Sequence, residues 1–215
     1  MKGRFITVEG GEGVGKTTQL AVIQQVLASS GLECIMTREP GGTPRAERIR
    51  ELLLTPTNEP MPATCELLLM FAARSTHLEN IIKPALDRSV WVVSDRFTDA
   101  TYAYQGAARG MPLTDISVLE DLVQRSLRPD LTLLLDAPVE VALERARLRN
   151  QGQQTDRFEL ERVGFFERVR AGYLDRAARE PLRFRVIDAS QPIAEVSASL
   201  RTTLEAYIAG AKVHG

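Results

Sequence analysis

Short runs of apolar residues alternate along this chain with longer segments whose apolar positions recur every three to four residues. The short runs predict β-strands, because a continuous apolar run of this length is typical of a strand buried on both faces. The longer segments predict α-helices, since that spacing places the apolar side chains on one helix face. The predicted strands lie at 4–8, 32–37, 90–94, 131–136 and 183–187, and the predicted helices at 16–29, 44–54, 63–86, 97–108, 114–127, 138–149, 159–179 and 192–209.

This alternation of strands and helices predicts an α/β fold, in which a five-stranded, doubly wound parallel sheet is flanked by helices. In such sheets, ligands bind outside the carboxyl ends of the strands. No repeat or linker divides the 215 residues. We therefore expect a single domain over 1–215, in which only residues 210–215 form a loose tail.

Composition and charge narrow the expected partners of this domain. Hydrophobic residues make up 44% of the chain, which is enough for a core, and the formal net charge is −1. We expect no nucleic-acid or membrane partner, because this charge gives no electrostatic footprint and no apolar stretch is long enough to cross a bilayer. Cys34 and Cys65 match no metal-binding or CxxC spacing, so we expect reduced, buried thiols in a cytoplasmic protein without a signal peptide.

The loop after the first predicted strand carries the strongest candidate site. It matches the pattern G-x-x-x-x-G-K-[ST] and lies between a strand and a helix, as that phosphate-binding motif requires. Its backbone N–H groups would surround the phosphates of a nucleoside triphosphate, Lys16 would reach the β- and γ-phosphates, and the Thr17 hydroxyl would bind Mg²⁺. The predicted ATP-binding residues are Gly10, Gly11, Glu12, Gly13, Val14, Gly15, Lys16, Thr17 and Thr18.

Other candidate residues lie at strand ends and on one helix. Asp95 and Arg96 follow the predicted strand 90–94, where a carboxylate can help to hold Mg²⁺ and an arginine can bind phosphate. Asp95 fits equally well as the N-cap of the next helix. Phe71 and Arg74 share one helix face, although Phe71 taken alone is more typical of a core position.

A polar stretch at 150–156 is bracketed by arginines. Two interpretations stay open: it is either an ordinary exposed loop or a mobile lid, at about 148–158, that brings arginines to a transferring phosphoryl group.

Several further motifs occur in a fixed order along the chain. They lie at 8–18, 37–43, 69–74, 94–97, 101–106, 128–132 and 156–159, and they include an Arg-Glu-Pro-Gly-Gly-Thr turn, a Phe-Ala-Ala-Arg segment and a Tyr-Gln-Gly segment. From about residue 5 to about residue 207, the chain resembles the bacterial thymidylate kinases, which are P-loop nucleoside monophosphate kinases. The phosphate loop alone would not separate this family from its superfamily, but the three named segments are specific.

The resemblance implies the reaction ATP + dTMP → ADP + dTDP with Mg²⁺ as cofactor, and it implies a role for each matching residue. In the base and sugar site, Phe71 would stack on thymine, Arg74 would donate to O4, and Tyr104 would lie under C2′ of the sugar. The implied dTMP-binding residues are Glu12, Glu39, Arg50, Phe71, Arg74, Arg96, Thr101, Tyr104 and Gln105. The implied catalytic residues are Lys16, Asp95, Arg96, Arg149 and Arg157, and the implied metal ligands are Thr17 and Asp95.

The same resemblance implies a homodimer that packs through helices near 63–86 and 97–127. Gly13 is the small-residue form of the loop, which implies that the catalytic arginine comes from the lid. The alternative is another P-loop nucleoside monophosphate or nucleoside kinase, which the base pocket would distinguish. A GTPase switch is disfavoured because the chain contains neither an N-K-x-D nor a D-x-x-G string. A regulatory ATP-binding module stays open on sequence alone.

Overall fold

A computed structural model of the chain describes residues 2–149 and 161–213, and in it five parallel strands form one sheet with the order β2-β3-β1-β4-β5. This confirms the predicted α/β fold class. The strands are β1 (Phe5–Glu9), β2 (Cys34–Arg38), β3 (Trp91–Asp95), β4 (Leu131–Asp136) and β5 (Phe184–Asp188). The prediction that every strand is buried on both faces is wrong for β2 and β5, because these two strands form the sheet edges.

Helices cover both faces of the sheet. Within the described ranges they are α1 (Lys16–Ser29), α2 (Pro44–Leu54), α3 (Ala63–His77), α4 (Lys83–Asp87), α5 (Thr98–Thr101), α6 (Leu113–Gln124), α7 (Val139–Arg149), α8 (Val163–Arg179) and α9 (Ile193–Val213). The predicted loose tail is wrong for residues 210–213, which continue α9. The start of the predicted helix 159–179 lies partly outside the described residues.

Two π-helical segments interrupt helices that the sequence predicts as continuous. Leu78–Ile82 separates α3 from α4, and Tyr102–Ala108 follows α5. Pro84 lies in the first turn of α4, just after the first of these segments. Because a proline cannot donate the usual helical hydrogen bond and its ring crowds the preceding turn, a widened turn at this point relieves the conflict.

Alternate side chains of the central strands enter two core layers. Ile6 and Leu133 pack on one face of the sheet in a cluster with residues of α1 and α9. Phe5 and Leu134 point to the opposite face, where the first packs near Leu78 and the second packs with the aromatic residues of α8. This is the alternation expected of pleated strands covered on both sides.

The two cysteines are more exposed than the sequence predicts, and the helices can be compared with the length of a membrane span. Cys34 is half-buried and Cys65 is exposed in the first turn of α3, so the prediction that both thiols are buried is wrong. Over residues 2–149 and 161–213, no helix combines the length and the apolar content needed to cross a membrane.

A buried carboxylate joins α5 to α8 and to the residue before β5. Asp99 of α5 is 2% exposed and pairs with Arg176 of α8 at 3.0 Å and with Arg183, next to β5, at 2.6 Å. Arg183 also donates to the Thr132 hydroxyl on β4. The position of α5 therefore depends on one charged cluster.

Asp99→Ala should lower the free energy of unfolding by about 3–5 kcal/mol, because it removes the buried carboxylate that two largely buried guanidinium groups share and leaves them only the partly exposed Glu180 as a common carboxylate partner. The matched control is Asp175→Ala, whose pair with Arg179 is more than half exposed on both sides and should change stability by less than about 1 kcal/mol. Urea denaturation of both variants measures the difference. Equal stabilities would contradict the structural role given to Asp99.

Candidate active site

The loop between β1 and α1 has the backbone shape of a phosphate cradle. Gly15 has a φ of 91° and immediately precedes the first residue of α1, so the helix N-terminus faces the loop. Gly13 has a φ of 75°, and a Cβ atom there would lie 1.8 Å from the carbonyl oxygen of Ala142. The loop therefore packs directly on α7, and no larger side chain fits at position 13.

Lys16 lies over this loop. Its Nζ atom donates to the carbonyl oxygens of Gly10 at 3.2 Å and Gly11 at 2.8 Å. Burial, and then the nearby Arg96 charge, lower the pKa of Lys16 to about 8, although the Asp95 charge opposes this. Thr17 and Thr18, the other candidates on α1, are exposed in its first turn.

Arg96, which follows β3, also contacts the loop. Its NH1 atom donates to the carbonyl oxygen of Gly10 at 3.0 Å, which is the oxygen that also accepts from Lys16. Two cations therefore converge on one carbonyl group at the carboxyl edge of the sheet. Like charges held this close favour an anion between or beside them.

Glu9 holds both the backbone and the side chain of Arg96. The Arg96 backbone has a φ of 68°, which is uncommon for a residue other than glycine. One Glu9 oxygen accepts from the next backbone N–H, that of Phe97, at 2.7 Å. The other accepts from the Tyr173 hydroxyl at 2.8 Å, and this hydroxyl accepts from Arg96 at 3.0 Å. Burial raises the pKa of Glu9 to about 8.

Asp95 has a carboxylate oxygen suited to a metal ion. Its Oδ1 atom is buried and accepts no hydrogen bond from any described residue. The charge of Asp95 also acts on Lys16, which places the carboxylate beside the loop. Within the described part of the chain, no three or more His, Cys, Asp or Glu residues are grouped so that they could hold a metal ion by themselves. One carboxylate with the Thr17 hydroxyl nevertheless suits Mg²⁺, which keeps several water and phosphate ligands.

A cleft opens beside this cation pair. Eight of the predicted dTMP-binding residues line it, namely Glu12, Glu39, Arg50, Arg74, Arg96, Thr101, Tyr104 and Gln105. The other lining residues, which were not among the predicted site residues, are Pro40, Leu54, Met70, Phe97, Ala100 and Phe166. Near the cation pair, the Arg96 guanidinium lies 4.8 Å from the centre of the Tyr104 ring, and Arg50 donates to the carbonyl oxygen of Pro40.

Phe71 is the predicted residue that does not line the cleft. It is 2% exposed, it packs in a core cluster with Leu67, Tyr102 and Ile116, and its ring lies 4.7 Å from the Arg74 guanidinium carbon. The Phe71 ring thus packs against the Arg74 guanidinium group. Its stacking on a base stays a prediction.

Arg74 is fixed by a chain of buried polar groups. Its Nε donates to Glu39 at 2.7 Å and its NH2 to the Thr101 hydroxyl at 3.0 Å, whereas its buried NH1 has no partner among the described residues. The second Glu39 oxygen contacts His77 at 2.9 Å, and the His77 Nε2 atom contacts the Thr37 hydroxyl at 2.7 Å. The sequence assigned no role to His77. In the structure it contacts Glu39 and so helps to hold the carboxylate that binds Arg74.

Comparisons with known proteins address the family of this site. The sequence model described as thymidylate kinase matches residues 8–200. The chain belongs to the thymidylate kinase family. A curated relative named thymidylate kinase in Teredinibacter turnerae is 58% identical over 208 residues, covering 97% of this chain and 100% of that protein. Another, in Chromohalobacter salexigens, is 58% identical over 208 residues, covering 96% and 97% of the two chains.

A solved structure supports the same family. The crystal structure of thymidylate kinase from Ehrlichia chaffeensis has a TM-score of 0.75 and 33% sequence identity, and the match covers 95% of this chain and 99% of that one. The fold is therefore the P-loop NTPase fold of thymidylate kinases. This confirms the resemblance that the motifs indicate.

The predicted lid arginines are described only in part. Arg157 lies outside the described residues, as does most of the predicted lid at about 148–158, and only the backbone of Arg149 is described, as the last residue of α7. Arg145 donates to the carbonyl oxygens of Ala189 and Ser190, so it anchors α7. Arg147 is exposed and pairs with Glu144. The catalytic roles of Arg149 and Arg157 stay predictions.

The lowered pKa of Lys16 predicts a pH dependence of ATP binding. Lys16 loses its charge as the pH rises through about 8, so affinity for ATP should fall about tenfold between about pH 7 and about pH 9. The Lys16→Arg variant keeps its charge over this range and should lack that fall. Calorimetric titration of both proteins isolates Lys16, because Glu9 titrates in each. Parallel pH profiles would contradict the prediction.

Proposed function

We propose that this protein transfers the γ-phosphoryl group of ATP to the phosphate of dTMP, giving ADP and dTDP. One observation supports this more than any other: Lys16, from the phosphate loop, and Arg96, from the wall of the adjoining cleft, donate to the same carbonyl oxygen of Gly10. A triphosphate in the loop and a monophosphate in the cleft would therefore meet between two cations. Membership of the thymidylate kinase family supports the same substrates.

The chemistry asks for positioning and charge stabilisation rather than for a covalent enzyme intermediate. Lys16 would hold the β- and γ-phosphates, and Arg96 with Arg50 would hold the acceptor phosphate. Charge that develops on the equatorial oxygens would then lie between fixed donors, which need no reorganisation during the reaction. Mg²⁺, held by Thr17 and Asp95, would neutralise phosphate charge when bound.

The hydrogen bonds around Arg74 indicate where the base would bind. Glu39 and Thr101 occupy two edges of the guanidinium, and the unpaired NH1 atom offers a donor to a base carbonyl such as O4 of thymine. Tyr104 lines the same cleft, where its ring would exclude a 2′-hydroxyl group.

We further propose that the protein acts in the cytoplasm as a homodimer. Apolar side chains on neighbouring helices support the dimer, because Leu68 of α3 is 52% exposed, and Val118 and Leu122 of α6 are 66% and 60% exposed. Exposed apolar patches of this kind are typical of protein interfaces.

A panel of nucleoside monophosphates with ATP as the donor tests the proposed reaction. dTMP should be the best acceptor, and dUMP should be about 10–200-fold poorer in kcat/KM because it lacks one methyl group. dCMP should be poorer by about a thousandfold or more, since its amino group would face a buried donor. Equal use of dCMP and dTMP, measured by coupled ADP release, would show that the base assignment is wrong.

Val118→Glu should convert the dimer to a monomer, because it places a charge in the proposed apolar interface. Ile193→Glu is the matched control, since Ile193 is also 66% exposed but lies at the start of α9. Analytical ultracentrifugation measures both masses. A monomeric parent protein, or a dimeric Val118→Glu variant, would contradict the proposed interface.

A further inference from the structure

A buried carboxylate lies behind Gln105, one of the cleft residues. Glu66 of α3 is 1% exposed, and its Oε1 atom accepts a hydrogen bond of 2.6 Å from the Gln105 Nε2 atom. Arg109 pairs with the same carboxylate oxygen at 3.5 Å and with Glu161 at 2.6 Å. Glu66 is thus held against Gln105 by packing and by charge.

This contact fixes which way the Gln105 amide points. A carboxylate can only accept hydrogen bonds, so the amide nitrogen must face Glu66 and the amide oxygen must face away from it. Gln105 is itself 1% exposed and lines the cleft, and the hydrogen bond that its side chain makes within the described part of the chain is through Nε2, not Oε1. The Oε1 atom of Gln105 can therefore accept a hydrogen bond from a ligand in the cleft.

Arg74 supplies the complementary donor. Its NH1 atom is buried without a partner among the described residues, and Arg74 lines the same cleft as Gln105. Thymine presents a matching pair, with O4 as acceptor and N3–H as donor, whereas cytosine presents a 4-amino donor and an N3 acceptor. The Arg74 NH1 donor and the Gln105 Oε1 acceptor therefore complement O4 and N3–H of thymine. In cytosine, the same donor would face a donor and the same acceptor would face an acceptor.

We propose that Glu66 is a specificity-determining positioning residue: by orienting the Gln105 amide, it makes the cleft accept thymine and reject cytosine. This inference rests on the proposed function. Glu66 acts through Gln105 and does not itself contact the base.

Glu66→Gln tests the inference, because an amide at position 66 can donate or accept and so lets the Gln105 amide turn over. The Arg109 contact, at 3.5 Å, is too long to fix the new amide, since Arg109 pairs with Glu161 at 2.6 Å. KM for dTMP should rise about tenfold with kcat little changed, and the ratio of kcat/KM for dTMP over dCMP should narrow about tenfold. The narrowing is partial, since Arg74 still opposes the amino group. Glu120→Gln is the matched control: that carboxylate is also buried and bonded to a tyrosine and an arginine, but outside the cleft, so the ratio should not change.

A swap keeps the inference testable if Glu66→Gln alone does not fold. Gln105→Glu places two carboxylates face to face and should lower kcat/KM for dTMP more than tenfold, whereas Glu66→Gln with Gln105→Glu restores a donor and acceptor and should recover most of that loss. An unchanged dTMP-to-dCMP ratio in folded Glu66→Gln, or no recovery in the swap, would overturn the role of Glu66. A parent protein that is inactive on dTMP would instead overturn the proposed function.

Discussion

The carbonyl oxygen of Gly10 is the point on which the candidate site depends. Lys16, from the first turn of α1, and Arg96, from the end of β3, both donate to it. Their mutual repulsion contributes to the lowered pKa of Lys16. The sheet brings them together because β1 and β3 are adjacent parallel strands whose carboxyl ends share one edge. A site built this way favours phosphate, since an anion relieves the repulsion that the fold imposes.

Buried glutamates keep the polar groups of the cleft in place. Glu9 holds Arg96 through Phe97 and Tyr173, and Glu39 holds Arg74. Glu66 holds Gln105 in the same manner. Glu39 and Glu66 each accept a hydrogen bond from one atom of the side chain that they hold, and other atoms of that side chain face the cleft. A buried polar network of this kind fixes the orientation of its members, and an atom that it leaves without a partner among the described residues, such as NH1 of Arg74, would be satisfied by a ligand.

The sequence predicted the sheet and the phosphate loop well, because both depend on short-range patterns. The bounds of α1 and α2 agree with the predicted 16–29 and 44–54, since Pro44, Thr43 and Gly15 mark helix ends locally. His77 and Glu66 could not be found in this way, because their partners lie 38 and 39 residues away along the chain. The sequence analysis also missed the π-helical segments and the continuation of α9 past residue 209, because a spacing of three to four residues neither identifies a widened turn nor fixes a helix end. The contact between Phe71 and Arg74 is local, by contrast, and follows from the helix face that the two residues share.

The most direct test of this account compares the binding of dTMP and thymidine to Arg96→Ala by calorimetry. If Arg96 holds the acceptor phosphate, the variant should lose about a hundredfold in affinity for dTMP and should keep its affinity for thymidine, which has no phosphate. Arg147→Ala, in which an exposed arginine is removed, should bind both ligands as the parent protein does. An unchanged affinity for dTMP in Arg96→Ala would contradict the central claim that the acceptor phosphate lies beside the phosphate loop, between Lys16 and Arg96.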